Sequence, residues 1–133
     1  MTVSGECFCG CVKYSIHGAL RHARSCHCSR CRKVFGGAAS AYAEVNADQF
    51  SWLAGEDKLS VYQPTPEWGL CFCSVCGSAL SGLYQGEIHG VTLGSVNEDP
   101  GVTLEKHIFV GSKAQWDDIG GDAPQYEEDF VDE

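Results

Sequence analysis

Cysteine constrains this chain more than any other residue. Nine of its 133 residues are cysteines, in three triplets: Cys7/Cys9/Cys11, Cys26/Cys28/Cys31 and Cys71/Cys73/Cys76. An odd number, clustered this tightly, fits a disulfide framework poorly. From Met1 to Cys11 there is neither a basic lead-in nor an apolar run, so no signal peptide is expected. That places the chain in the cytoplasm, where thiols stay reduced. Metal binding or catalysis must then account for the cysteines.

The central triplet stands in Cys26-His27-Cys28-Ser29-Arg30-Cys31, with Arg32-Lys33 directly after it. On an extended strand Cys26 and Cys28 would point to one face. The three-residue step from Cys28 to Cys31 is the spacing at which a tight turn brings two thiolates to one tetrahedral ion. Three converging sulfurs with no evident fourth suggest an open coordination position, which on zinc is where chemistry occurs. The outer triplets read differently. Cys73-x-x-Cys76-Gly77 has the form of a zinc knuckle, and no βαβ pattern supports the rival redox reading. Cys7 and Cys9 supply a matching pair, on a segment expected to be extended. Cys11 is expected to be a buried spectator.

Along the rest of the chain, period-two alternation and turn residues predict seven or eight short strands. Six of them fall near 12–16, 39–45, 58–62, 80–84, 88–96 and 104–110. Asn46 to Phe50 is expected to form a short capped helical turn. Pro64-Thr65-Pro66 is expected to be an exposed loop. No long amphipathic helix, repeat or linker is visible. The expectation is one mostly-β domain over 1–133, with a core from about 5 to 116. The acidic end, 117–133, would wrap loosely around it, anchored by Trp116, Tyr126 and Phe130.

Composition narrows the function. Hydrophobic content of 44% and charged content of 20% read as globular, and no stretch has the roughly 20 apolar residues of a membrane span. The net charge of −9 opposes attraction to nucleic acid or anionic lipid. Yet five of the nine Lys and Arg residues lie between Arg21 and Lys33, a local patch suited to a small anion.

Three motifs stand in order: Gly5-x-Cys7-x-Cys9-Gly10-x-Val12-x-Tyr14, Cys26-His27-Cys28-Ser29-x-Cys31-Arg32-Lys33-x-x-Gly36, and Phe72-Cys73-x-x-Cys76-Gly77-x-x-Leu80. Lys106-His107-Ile108-Phe109-Val110-x-Ser112-Lys113-Ala114-x-Trp116 and Pro124-Gln125-Tyr126-Glu127 follow. From Gly5 to Glu127 the chain resembles the glutathione-dependent formaldehyde-activating enzyme, or Gfa-like, family, to which centromere protein V belongs. The resemblance implies a β-tent fold of short antiparallel strands stapled by two zinc ions. It implies a structural site on Cys7, Cys9, Cys73 and Cys76, and a catalytic site on Cys26, Cys28 and Cys31. Cys11 and Cys71 depart from the family pattern. Either is a possible fourth ligand, as are His27 and His107.

The activity implied is a carbon–sulfur lyase type, joining a thiol such as glutathione to formaldehyde or a similar small aldehyde. Arg30, Arg32 and Lys33 are the candidates for binding the carboxylates of the thiol. Two other readings stand beside it: a zinc-stabilised interaction module without catalysis, and a thiol redox or metal sensor.

Overall fold

The computed structural model describes residues 1–129. In chain order its elements are β1 (Thr2–Glu6), β2 (Lys13–His17), β3 (Arg21–Cys26), α1 (Ser29–Phe35), β4 (Ser40–Glu44) and β5 (Phe50–Ala54). They continue with β6 (Leu59–Thr65), β7 (Trp68–Cys73), β8 (Ala79–Tyr84), β9 (Glu87–Thr92) and β10 (Lys106–Ile108). Short 3-10 turns fill several links, including the expected one at Ala47–Gln49. The fold is mostly β. Among the described residues no helix is long and apolar enough to cross a membrane.

The chain divides into two compact units. One comprises Met1–Arg21 and Ala43–Val102; the other comprises His22–Tyr42 and the chain from Thr103 on.

In the first unit β2 lies between β1 and β5, both antiparallel to it. Alternation buries Val3 on β1, Tyr14 and Ile16 on β2, and Phe50 on β5. Each such side chain taken out of water stabilises by about 1.5–3 kcal/mol. Tyr14 stacks on Phe50 with ring centroids 5.0 Å apart, and its hydroxyl meets Ser95 Oγ at 2.7 Å. Gly5 pairs with Tyr14 across the ladder, and a Cβ there would collide with the tyrosine ring. The same unit carries the antiparallel run β9-β8-β7-β6. Contrary to the expected loop at Pro64–Pro66, β6 continues through Pro64 to Thr65. Proline is tolerated because β6 is the last strand of its run and its register breaks between Tyr62 and Thr65.

In the second unit β3 has β10 as a parallel neighbour on one side and β4 on the other. The strand expected over 104–110 is only Lys106–Ile108, because Phe109 turns into the left-handed region at φ 57°. The acidic end adds a bridge beside it: His107 N–H donates to Pro124 O at 2.8 Å and Tyr126 N–H to His107 O at 2.9 Å. Backbone hydrogen bonds therefore hold this segment. Trp116, expected as an anchor, is 73% exposed and does not serve as one. Phe130 lies outside the described residues.

Two candidate metal centres

The first centre is built by two hairpin loops of similar design. The loop from β1 to β2 closes with Cys7 N–H donating to Val12 O at 3.1 Å, and that from β7 to β8 with Cys73 N–H donating to Ser78 O at 2.9 Å. Within each loop a glycine N–H returns to the first cysteine carbonyl: Gly10 to Cys7 at 3.0 Å and Gly77 to Cys73 at 2.8 Å. Both glycines have positive φ, +81° and +84°, which side-chain-bearing residues rarely adopt. Each first sulfur also accepts a backbone amide, Val12 N–H on Cys7 Sγ at 3.3 Å and Val75 N–H on Cys73 Sγ at 3.4 Å. Such bonds stabilise thiolates.

These loops bring Cys7, Cys9, Cys11 and Cys73 together, with all four sulfurs within 4.8 Å of one another. Cys9 Sγ lies 3.6 Å from Cys7 Sγ, 3.3 Å from Cys11 Sγ and 3.8 Å from Cys73 Sγ. Four sulfurs set tetrahedrally at about 2.3 Å around zinc stand about 3.8 Å apart, so the donor set and spacing fit that ion. Cys11 was expected to be a buried spectator, yet it is half-exposed and sits 3.6 Å from Cys73 Sγ. Nor are Cys7, Cys9 and Cys11 on a strand: the segment is a turn, reversed at Gly10. Cys76 is outside the group of four, although its thiol interacts with those of Cys7, Cys9 and Cys73. Cys71 is buried on β7 opposite Ser81, outside the cluster.

Ionisation within the cluster is uneven. Hydrogen bonds from the Ser78 hydroxyl and backbone hold the Cys76 thiol down to about 5. Burial works against the Cys7 thiolate, but the Val12 amide and the Cys9 and Cys73 thiols outweigh it. The Cys11 backbone pulls Cys9 down, but neighbouring thiols and burial together push it up to about 12.

The second centre lies wholly in the second unit and is formed by Cys26, Cys28 and Cys31, again with sulfurs within 4.8 Å of one another. Cys26 ends β3, Cys28 is the N-cap of α1 and Cys31 lies in its first turn. The expected tight turn is thus the start of a helix, in which Cys31 N–H donates to Cys28 Sγ at 3.3 Å. Gly36 stops α1 at φ 63°, its N–H bonding Arg32 O at 2.9 Å. The hydrogen bond from Cys26 is the main force holding the Cys31 thiol down to about 6, with Ser40, Cys28 and Arg30 adding to it against burial. Cys26 is correspondingly pushed up by its bond to Cys31 and by burial. Cys31 therefore ionises before Cys26. Three half-buried sulfurs, one already poised as thiolate, are a suitable donor set for zinc with a further position available.

Comparison with known proteins gives the family. The family described as glutathione-dependent formaldehyde-activating enzyme matches residues 2–112, most of the chain. The chain belongs to this family. A crystal structure of a Rhodobacter sphaeroides protein is similar with a TM-score of 0.55 and 24% identity. The match covers 92% of this chain and 98% of the other, and at that identity it concerns the fold.

The surroundings of the second centre in this formaldehyde-activating family member include contacts the sequence did not reveal. His27 is 3% exposed, and its Nε2 lies 3.0 Å from His107 Nδ1. His27 Nδ1 faces Asp117 Oδ2 at 3.8 Å without a hydrogen bond. Burial first, then the His107 and Lys113 charges, lower the His27 pKa, against a smaller opposing pull from Asp117. The two histidines bond to each other and neither joins the three-thiol group. Of the expected basic patch, Arg21 is tied to Asn46 Oδ1 at 3.0 Å and Gln49 Oε1 at 2.9 Å. Arg24 lies over the Tyr42 ring at 5.1 Å. Arg30, Arg32 and Lys33 lie on α1. At about 100° per residue, Arg32 shares the helix side of Cys28 and Cys31, while Arg30 and Lys33 point away from that side and are exposed. Arg32 Nε is buried with no hydrogen-bond partner among the described residues.

Proposed function

We propose that this protein is a cytoplasmic zinc enzyme that forms a carbon–sulfur bond between a thiol, glutathione or a close analogue, and formaldehyde or a similar small aldehyde. Family membership supports the reaction class, and the three-thiol centre is the observation that carries it. In this reading Cys7, Cys9, Cys73 and Cys76 belong to a structural zinc site, and Cys26, Cys28 and Cys31 hold the catalytic ion. Zinc held by three thiolates supplies a Lewis acid that lowers the pKa of a fourth, substrate thiol.

The protein groups supply position. Cys28 and Cys31, fixed by the first turn of α1, and Cys26, fixed by β3, set the direction from which a thiol can approach. Arg32, with its unpartnered buried Nε, is suited to a carboxylate of the thiol substrate, and Arg30 and Lys33, exposed elsewhere on the same helix, add to the positive charge that draws it in. Positioning a thiol against a small aldehyde removes much of the entropic barrier of a bimolecular addition. No nucleic acid or membrane partner is proposed.

Calorimetric titration of glutathione into the zinc-loaded protein tests this reading. Binding is expected in the wild type, with affinity lost in Cys28→Ser and reduced roughly 10-fold or more in Arg32→Ala, the loss of one charge-assisted hydrogen bond. Failure of the folded, two-zinc protein to bind any small thiol would favour a non-catalytic interaction module.

A further inference from the structure

The first centre contains one thiol more than a tetrahedral ion can use. Cys7, Cys9 and Cys73 are common to two sets of sulfurs. With Cys11 they form the group of four lying within 4.8 Å. With Cys76, whose thiol also interacts with all three, they form a second set. Cys11 comes from the β1–β2 loop and Cys76 from the β7–β8 loop, so the two completing ligands sit on separate backbones. Both are half-exposed, whereas Cys7 and Cys73, which anchor the loops, are 2% and 0% exposed.

We propose that these five cysteines form two overlapping four-thiolate zinc sites sharing Cys7, Cys9 and Cys73, in which Cys11 and Cys76 are interchangeable fourth ligands. The inference rests on reading this cluster as a zinc site and is independent of the chemistry at Cys26, Cys28 and Cys31. Zinc has no ligand-field preference to choose between the two arrangements. Cys9, the exposed thiol of the cluster, is common to both sets, so the spare ligand protects against loss of Cys11 or Cys76 and not of Cys9. Loss of Cys11 or Cys76 alone leaves four sulfurs on the ion, and the β1–β2 and β7–β8 loops stay joined through the shared three.

Native mass spectrometry of the zinc-loaded full chain counts the ions, and thermal melting reports the fold. Cys11→Ser and Cys76→Ser should each keep the wild-type ion count and melt close to the wild type. The double variant should lose the ion of this cluster and melt well below either single variant. A lost ion in either single variant would overturn the proposal, because that cysteine would then be indispensable. An unchanged count in the double variant would overturn it as well. Cys73→Ser separates this from a failure of the underlying reading: if removing a shared sulfur changes neither count nor melting, Cys73 is no ligand and the reading of the cluster, not the exchange of Cys11 and Cys76, is what fails.

Discussion

Cys28 has two separable roles, helix cap and candidate ligand, and substitution can divide them. Serine is a better N-cap than cysteine, so Cys28→Ser should leave α1 intact. The expected outcome is a protein that melts near the wild type but carries one zinc fewer, read by metal analysis. Loss of both ions together would mean that the two centres are not independent. His27 offers a pH test. Its pKa is lowered below 6.5 by burial and by nearby positive charge, so the folded state binds fewer protons than the unfolded chain just below that value. Stability is then fully present above pH 6.5 and falls as the pH drops toward the folded pKa. NMR titration should place the His27 midpoint below 6.5; a midpoint above it would contradict the burial argument. At this scale spacing grouped Cys26, Cys28 and Cys31, which the fold brings together, but set Cys76 rather than Cys11 beside Cys7, Cys9 and Cys73. A period-two reading puts Cys7, Cys9 and Cys11 on one strand face, but Gly10 at φ +81° reverses the chain and swings Cys11 onto Cys73. That torsion is not written in the residue pattern. Ser40 and Asp117 were missed because each meets its partner only through the fold, and Ser78 because the turn at Gly77, φ +84°, is what brings its hydroxyl to Cys76.

Elements were legible where the chain alternates or carries caps, as in β2, β8 and the Asn46-capped turn, where Asn46 N–H donates to Gln49 Oε1 at 2.7 Å. They were misread where edge position decides, as at Pro64, and where a side-chain cap starts a helix, as at Cys28. Gly55 supplies a test of how the hairpin loops are supported. A Cβ there would strike the Cys11 carbonyl, and its φ of +75° disfavours any side chain. Gly86 has a similar φ of +80° but open space around it. Gly86→Ala should cost about 1–2 kcal/mol, the penalty of the left-handed backbone alone. Gly55→Ala should cost on the order of 3 kcal/mol or more, since backbone overlap is added. Urea denaturation compares the two. Equal losses would show that the Cys11–Val12 backbone yields freely and does not brace the cluster.

For the whole molecule, bound zinc should set stability. In the first unit the cysteine cluster, with the bond from Phe8 N–H to Ser78 Oγ at 2.9 Å, links the β1–β2 and β7–β8 hairpins. A structural zinc in a small module contributes on the order of 10 kcal/mol, comparable with the total stability of a domain. Cys73→Ser, which removes a shared and fully buried sulfur, should therefore unfold or severely destabilise the protein. Circular dichroism would show it, and a strong chelator should act alike on the wild type. A folded, zinc-replete Cys73→Ser protein would remove that residue from the site. The net charge of −9 bears on partners at the same scale: the overall field repels nucleic acid, and only the short basic run on α1 can offer local attraction to an anion.

The central claim is that Cys26, Cys28 and Cys31 form an open zinc centre that joins a thiol to an aldehyde. The most direct measurement is the rate of exchange between free formaldehyde and its glutathione adduct, followed by NMR. Zinc-loaded wild type is compared with protein-free buffer and with Cys28→Ser. Because the uncatalysed addition is itself fast, the protein-free rate is the reference. The account predicts exchange accelerated by the wild type and returned to the buffer rate by Cys28→Ser. Acceleration that survives in a folded Cys28→Ser protein lacking the second ion would contradict it.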